Sequence, residues 1–113
     1  MKRYEIWLAT FPKLPDSHVQ AGRRPAVIIS NDLGNSSSEV VTVVPLTTKC
    51  CKPHLPTHVY LRDQGLDYGS IALCEQSITL DRPNLIRRIG YVHKSFDRLA
   101  LMHAICIQLG LVS

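Results

Sequence analysis

Gln20-Ala21-Gly22-Arg23-Arg24-Pro25-Ala26-Val27-Ile28-Ile29-Ser30-Asn31-Asp32 sets two guanidiniums between a glycine and a proline at the mouth of an apolar run. Pro25 fixes its own φ and turns the preceding residue away from helical backbone, so Arg24 is presented in extended chain as a strand begins. That strand is expected over Pro25 to Ser30, and Asn31-Asp32-Leu33-Gly34-Asn35 carries the turn chemistry that should end it. Charge entering a buried strand is costly unless it is solvated or binds something. Two guanidiniums beside a permissive glycine suit a phosphate, and a surface arginine pair guarding a strand end is the alternative.

Outward from this segment the chain reads as strands first and a helix last. Tyr4 to Ala9 is a short β-prone run, closed by Phe11-Pro12 and Leu14-Pro15, which open a turn-rich loop leading to the arginines. Glu39 to Leu46 is β-branched almost throughout, the composition of a strand buried on both faces, and it closes on Thr47-Thr48-Lys49. Further strands are expected at Thr57 to Leu61, at Ser70 to Leu73 continuing towards Thr79, and at Arg87 to Val92. Asp81-Arg82-Pro83 has the form of a short helix start with Asp81 as its cap. From Ser95 the period changes: Phe96, Leu99, Ala100, His103, Cys106 and Ile107 fall at helical spacing, with Ser95 to cap and Gly110 to terminate. His103, on or near the apolar stripe, is expected in the core or an interface. The pattern predicts an α+β domain: a small antiparallel β-barrel or curled sheet followed by a packed C-terminal α-helix.

The 113 residues suit one domain spanning 1–113, and no apolar run reaches the roughly 18 residues a membrane span requires. Met1-Lys2-Arg3 is basic, but Tyr4 to Phe11 contains Glu5 and lacks a secretory cleavage pattern, so the expected compartment is the cytosol. A net charge of +4 favours a polyanionic partner. Cysteines 50, 51, 74 and 106 show no CxxC spacing and are expected to be reduced. Cys50, Cys51, His54 and His58 offer ligand types that zinc prefers, but Pro53 and Pro56 break the local backbone and adjacent cysteines point apart in extended chain. No metal and no cofactor is expected.

Several motifs in order resemble the MazF/PemK/Kid family of toxin endoribonucleases, essentially end to end. Glu5-Ile6-Trp7-Leu8 is similar to the family's opening strand, Gly22 to Asp32 to its signature, and Val44-Pro45-Leu46-Thr47-Thr48 to its third-strand exit. Leu55-Pro56-Thr57-His58-Val59, Cys74-Glu75-Gln76 and Thr79-Leu80-Asp81 come next at family-like spacing. The resemblance implies an SH3-like barrel of the Kid/CcdB type, a homodimer, metal-independent cleavage of single-stranded RNA and neutralisation by a cognate antitoxin. It also implies a site. Arg24 matches the signature arginine, and its guanidinium suits stabilisation of a phosphate transition state. Thr47 matches the active-site Thr/Ser, whose hydroxyl can bond the phosphate.

His18 corresponds to the histidine of a Kid-like His-Glu-Gln-Gln-Gly pattern and is a candidate acid or base, with an exposed loop histidine as its alternative. Glu75 takes the place of a family acidic residue and is either a base or a structural carboxylate. Arg23, Thr48, Lys49, Lys52 and Gln76 are the candidate RNA contacts. Val19 replaces the usual glutamate, Ala21 a glycine or glutamine, and Leu73 an arginine credited with acid function in Kid-type members. Those departures favour the MazF style, resting on arginine and threonine. The alternatives are a CcdB-like module that binds DNA gyrase, against which the end Gly110-Leu111-Val112-Ser113 lacks a Trp-Gly-Ile tail, and an inactive relative that keeps RNA or antitoxin binding.

Overall fold

A computed structural model describes residues 1–49 and 55–112. Seven strands and two helices alternate as β1 (Glu5–Phe11), β2 (Gly22–Ile28), α1 (Asp32–Ser37), β3 (Val40–Thr47), β4 (His58–Leu61), β5 (Ser70–Leu73), β6 (Ile78–Asp81), β7 (Leu85–Tyr91) and α2 (Ser95–Gln108). Short 3-10 turns at Cys74–Gln76 and Arg82–Asn84 separate β5, β6 and β7. The strands form one antiparallel, strongly curled sheet in the order β4-β5-β3-β2-β1-β7, with β6 also on β3. The sheet is open, curled and followed by a C-terminal helix, consistent with the SH3-like barrel that the resemblance implies.

The sheet curls because β3 changes partner along its length. Residues Val40 to Val43 pair with β6, whereas Leu46 and Thr47 pair with β5. Pro45, which has no N–H to give a ladder, sits between these two pairings, at the corner. Strict alternation then divides the core. Ala26 and Ile28 of β2 join Val41 and Val43 of β3 in one apolar cluster with Phe11, Leu80 and Leu85. Val27, Val44 and Leu46 face the other way and pack with Ile6, Leu61, Val92, Leu101 and Ala104. β2 and β3 are thus walls shared by both halves of the core, with period 2 deciding which half each residue joins.

Three local expectations are corrected. Both arginines lie inside β2, which begins at Gly22 and ends at Ile28, because Arg23 and Arg24 pair with Thr10 and Ala9 of β1. The turn after the strand is a short helix, since the Asn31 side chain accepts from Gly34 N at 2.7 Å and caps it. The strand expected to run from Ser70 towards Thr79 is cut in two by the 3-10 turn at Cys74–Gln76.

Helix α2 also differs at its start. Lys94, not Ser95, is the N-cap, and no side chain caps from within the helix. Buried Gln64 does the work from a distant loop: its Oε1 accepts from Lys94 N at 3.1 Å and its Nε2 donates to Asp97 at 3.0 Å. Asp81 likewise caps its 3-10 turn by position only, with no side-chain bond. At the other end Gly110 (φ +74) donates to Ile107 O and Leu111 to Cys106 O, the paired bonds of a Schellman stop, as its glycine predicts. His103 is exposed on α2, which removes it from the core.

Candidate active site

The arginine-to-threonine relation comes from register. Ala26, Val27 and Ile28 of β2 lie opposite Pro45, Val44 and Val43 of β3. Continuing that register by two residues brings Arg24 opposite Thr47, and residues opposite one another share a sheet face. Both line a cavity of about 260 Å³ together with Arg23, Thr48, Lys49 and Ser70. Residues 23 positions apart are thus brought together by strand pairing.

Arg24 is partly buried, and loss of solvent lowers its pKa from the free guanidinium value. A guanidinium nevertheless stays protonated in proteins. Its Nη2 and Nε donate to Ala21 O at 3.0 and 3.3 Å, and no carboxylate pairs with it among the described residues. Gly22 (φ +81) permits the fold-back, because only glycine adopts that left-handed backbone readily. Among the described residues no neighbour lies within 4 Å of the place where a Gly22 Cβ would stand, so its role is the backbone angle.

Thr47 is 7% exposed, and its Oγ1 accepts from Lys49 N at 3.3 Å. That bond takes a lone pair and leaves the hydroxyl proton to donate. Thr48 and Lys49 are exposed at the rim, and Lys49 also lines a second cavity of about 530 Å³ on the other side of Arg24. There the β1–β2 loop contributes His18, exposed, together with Val19 and Ala21, while Lys13 adds a cation. Among the described residues no carboxylate lines either cavity, so at least four cations, Lys13, Arg23, Arg24 and Lys49, face them without a lining carboxylate. The electrostatics ask for an anion.

Glu75 sits elsewhere. It accepts from Thr57 Oγ1 at 3.1 Å and contacts His58 Nε2 at 2.9 Å, and it lines neither cavity. The charge beside it, added to burial, pushes the Cys74 thiol up to about 12, with burial the larger cause, so this thiol is inert. Cys74 and Cys106 are free thiols. Gln76 reaches back to the loop: its Oε1 accepts from Gln20 N at 2.8 Å, tying the His18 loop to the 3-10 turn. Lys52 and the cysteine pair Cys50-Cys51, with His54, lie outside the described residues. Among the described residues no three of His, Cys, Asp and Glu cluster as metal ligands.

Lys13 and Ser70 escaped sequence reasoning. Ser70 arrives through β3–β5 pairing, where Thr47 lies opposite Ile71, so that only topology could reveal it. Lys13 carries a faint signal, a cation in the same loop as His18.

Comparisons with known proteins bear on the family and the fold. Residues 2–107 match the family model of the PemK-like, MazF-like toxins of type II toxin-antitoxin systems. A protein of Staphylococcus saprophyticus subsp. saprophyticus named Endoribonuclease MazF is 37% identical over 113 residues, covering 98% of this chain and 92% of that protein. The Mycobacterium tuberculosis toxin MazF-mt6 superposes with a TM-score of 0.79 at 27% identity, over 96% of this chain and 99% of that one. A mycobacterial endoribonuclease solved in complex with its cognate antitoxin has a TM-score of 0.80 at 23% identity, over 100% and 98%, a likeness of fold alone.

Proposed function

The chain belongs to the PemK-like, MazF-like toxins of type II toxin-antitoxin systems, and from that premise we propose how this endoribonuclease toxin works. It cleaves single-stranded RNA by attack of a 2′-hydroxyl on the adjacent phosphorus, forming a 2′,3′-cyclic phosphate and expelling the 5′-oxygen. The observation that carries the reading is Arg24: a partly buried cation with no carboxylate partner among the described residues, on the face that Thr47 shares. Charge that builds on the equatorial oxygens is met by the guanidinium, and the Thr47 hydroxyl donates to one of them. Positive charge fixed in the protein serves where a metal would otherwise be recruited, so cleavage is metal-independent.

His18 is the proton-transfer group of this scheme, since it lines the cavity that also contains Arg24. Glu75, held by Thr57 and His58 and lining neither cavity, takes the structural role rather than that of a base. Arg23, Thr48, Lys49 and Lys52 contact the RNA backbone, while Gln76 adds the hold on the His18 loop. The same basic groove receives an acidic segment of a cognate antitoxin. Helix α2 leaves Phe96 81% and Leu99 72% exposed, with Phe96 lining a cavity beside Tyr60, a face suited to a homodimer. Among the described residues no helix is long and apolar enough to cross a membrane. The cytoplasm is the proposed compartment. The 37% relative, named an endoribonuclease, favours cleavage over the gyrase-binding alternative.

Incubation of the purified protein with a sequence-diverse RNA in EDTA is expected to give discrete fragments ending in 2′,3′-cyclic phosphate or 3′-phosphate. RNA left intact under those conditions sinks the proposal and favours the inactive relative. His18→Ala is expected to lower cleavage about 10²-fold or more and to change the shape of the pH–rate profile. An unaltered profile removes His18 from proton transfer.

A further inference from the structure

A third cavity, of about 460 Å³, adjoins the arginine site on the side away from His18. It shares Pro25, Thr48 and Ser70 with the cavity that contains Arg24 and Thr47. The 260 Å³ cavity thus shares lining residues with both of the others, Arg24 and Lys49 on the His18 side and Pro25, Thr48 and Ser70 on this one. The far end is lined by Tyr68, Arg87 and Arg88, with Asp67 the one acidic member.

The wall bearing Tyr68 is fixed in place. Asp63, Gln64 and Gly65 adopt left-handed backbone in succession (φ 60, 59 and 101), a costly run for the two that are not glycine. It persists because the loop is pinned to β7: Gln64 O accepts from Tyr91 N at 3.1 Å. A Cβ on Gly65 would stand 2.3 Å from Ile89 O, and one on Gly90 2.0 Å from Gln64 O, so two glycines permit this approach. On that pinned loop Tyr68 is 75% exposed, with most of its side chain in water. Arg87 is exposed and makes no ion pair among the described residues, while Arg88 keeps a loose pair with Glu5 at 3.7 Å.

An exposed tyrosine on a pre-ordered loop beside two arginines, adjoining the cavity of Arg24 and Thr47, is the equipment of a single-strand nucleotide subsite. We propose that this cavity binds the nucleotide flanking the scissile phosphate on the side away from His18, with Tyr68 stacking on its base and Arg87 meeting its phosphate. The proposal rests on the RNA-cleaving reading of Arg24 and deepens it. Stacking is tolerant of base identity, so the subsite adds affinity and sets the strand's register more than it reads sequence.

The test is cleavage of a nested series of oligoribonucleotides, shortened from either end, by wild type, Tyr68→Ala, Tyr68→Phe and Arg87→Ala. Tyr68→Ala and Arg87→Ala are each expected to raise KM about tenfold on the long RNA with kcat little changed. The effect should vanish on oligonucleotides truncated on one side, and Tyr68→Phe should behave as wild type. Equal efficiency of Tyr68→Ala and wild type on the long RNA, or a loss independent of length, overturns the subsite.

If wild type cuts nothing, the parent reading fails, and anisotropy with a 2′-deoxy-substituted oligonucleotide at low salt still decides the subsite. Affinity lowered about tenfold in the same two variants supports it, and unchanged affinity overturns it. Unchanged RNA affinity with weakened binding of an acidic peptide would make the groove a protein contact, also against the proposal.

Discussion

Arg24→Ala is expected to lower the cleavage rate about 10²- to 10³-fold while leaving the fold intact, the loss typical of one preorganised transition-state donor. Its side chain bonds only to Ala21 O among the described residues, so removing it breaks no ion pair and opens no core cavity. The loss should therefore fall on kcat more than on thermal stability. Arg24→Lys should recover only part of the rate, because an ammonium keeps the charge and loses the planar fork that meets two phosphate oxygens together. A thermal melt beside the kinetics separates the cases. An unchanged rate in Arg24→Ala would remove the residue from the chemistry, and a collapsed melting curve would show that its main role is structural.

Leu101→Ala carries the second large effect, on stability. Leu101 is fully buried in α2 and packs with Ile6, Val27, Val44 and Leu46, so it joins the helix to the strands that carry the site. Truncating a side chain in such a place removes apolar burial and leaves a void, a loss of about 2–5 kcal/mol. For a domain of this size that lowers Tm by roughly 10 °C or more. Phe96→Ala on the exposed face of the same helix should cost little in the monomer. Calorimetry of both variants checks the contrast, and equal shifts would refute the placement of α2 against the sheet.

The contrast between legible and illegible features has a physical basis. β-branched composition at Val40 to Val44, Pro25 beside Arg24 and Gly110 after the last helical turn act through neighbours along the chain, so each could be read from the sequence. The start of α2 could not, because the group that caps it is Gln64, thirty residues earlier. Asn31 was readable as a turn former, yet its side chain starts a helix instead, an outcome within the same chemistry. β2 extends to Gly22 because β1 continues to Phe11, a matter of pairing that local propensity does not register.

The site divides along the same line. Arg24 and Thr47 stood out by motif, and the β2–β3 register explains why those two positions belong together. His18 lines the cavity of Arg24, whereas Glu75 is engaged with His58 and Thr57, partners 17 and 18 positions away that no local pattern announces. Tyr68 and Arg87 carried no motif at all. They come beside Pro25 and Thr48 only because the loop after β4 is pinned to β7.

The central claim is that the scissile phosphate sits between the Arg24 guanidinium and the Thr47 hydroxyl. Its most direct test is a crystal structure of the protein with a target RNA made uncleavable by a single 2′-deoxy substitution at the cut. The phosphate next to that nucleotide is expected within hydrogen-bond distance of both Arg24 and Thr47 Oγ1, with His18 facing the reacting oxygens. A phosphate bound against other residues, with Arg24 still folded on Ala21 O, would contradict it.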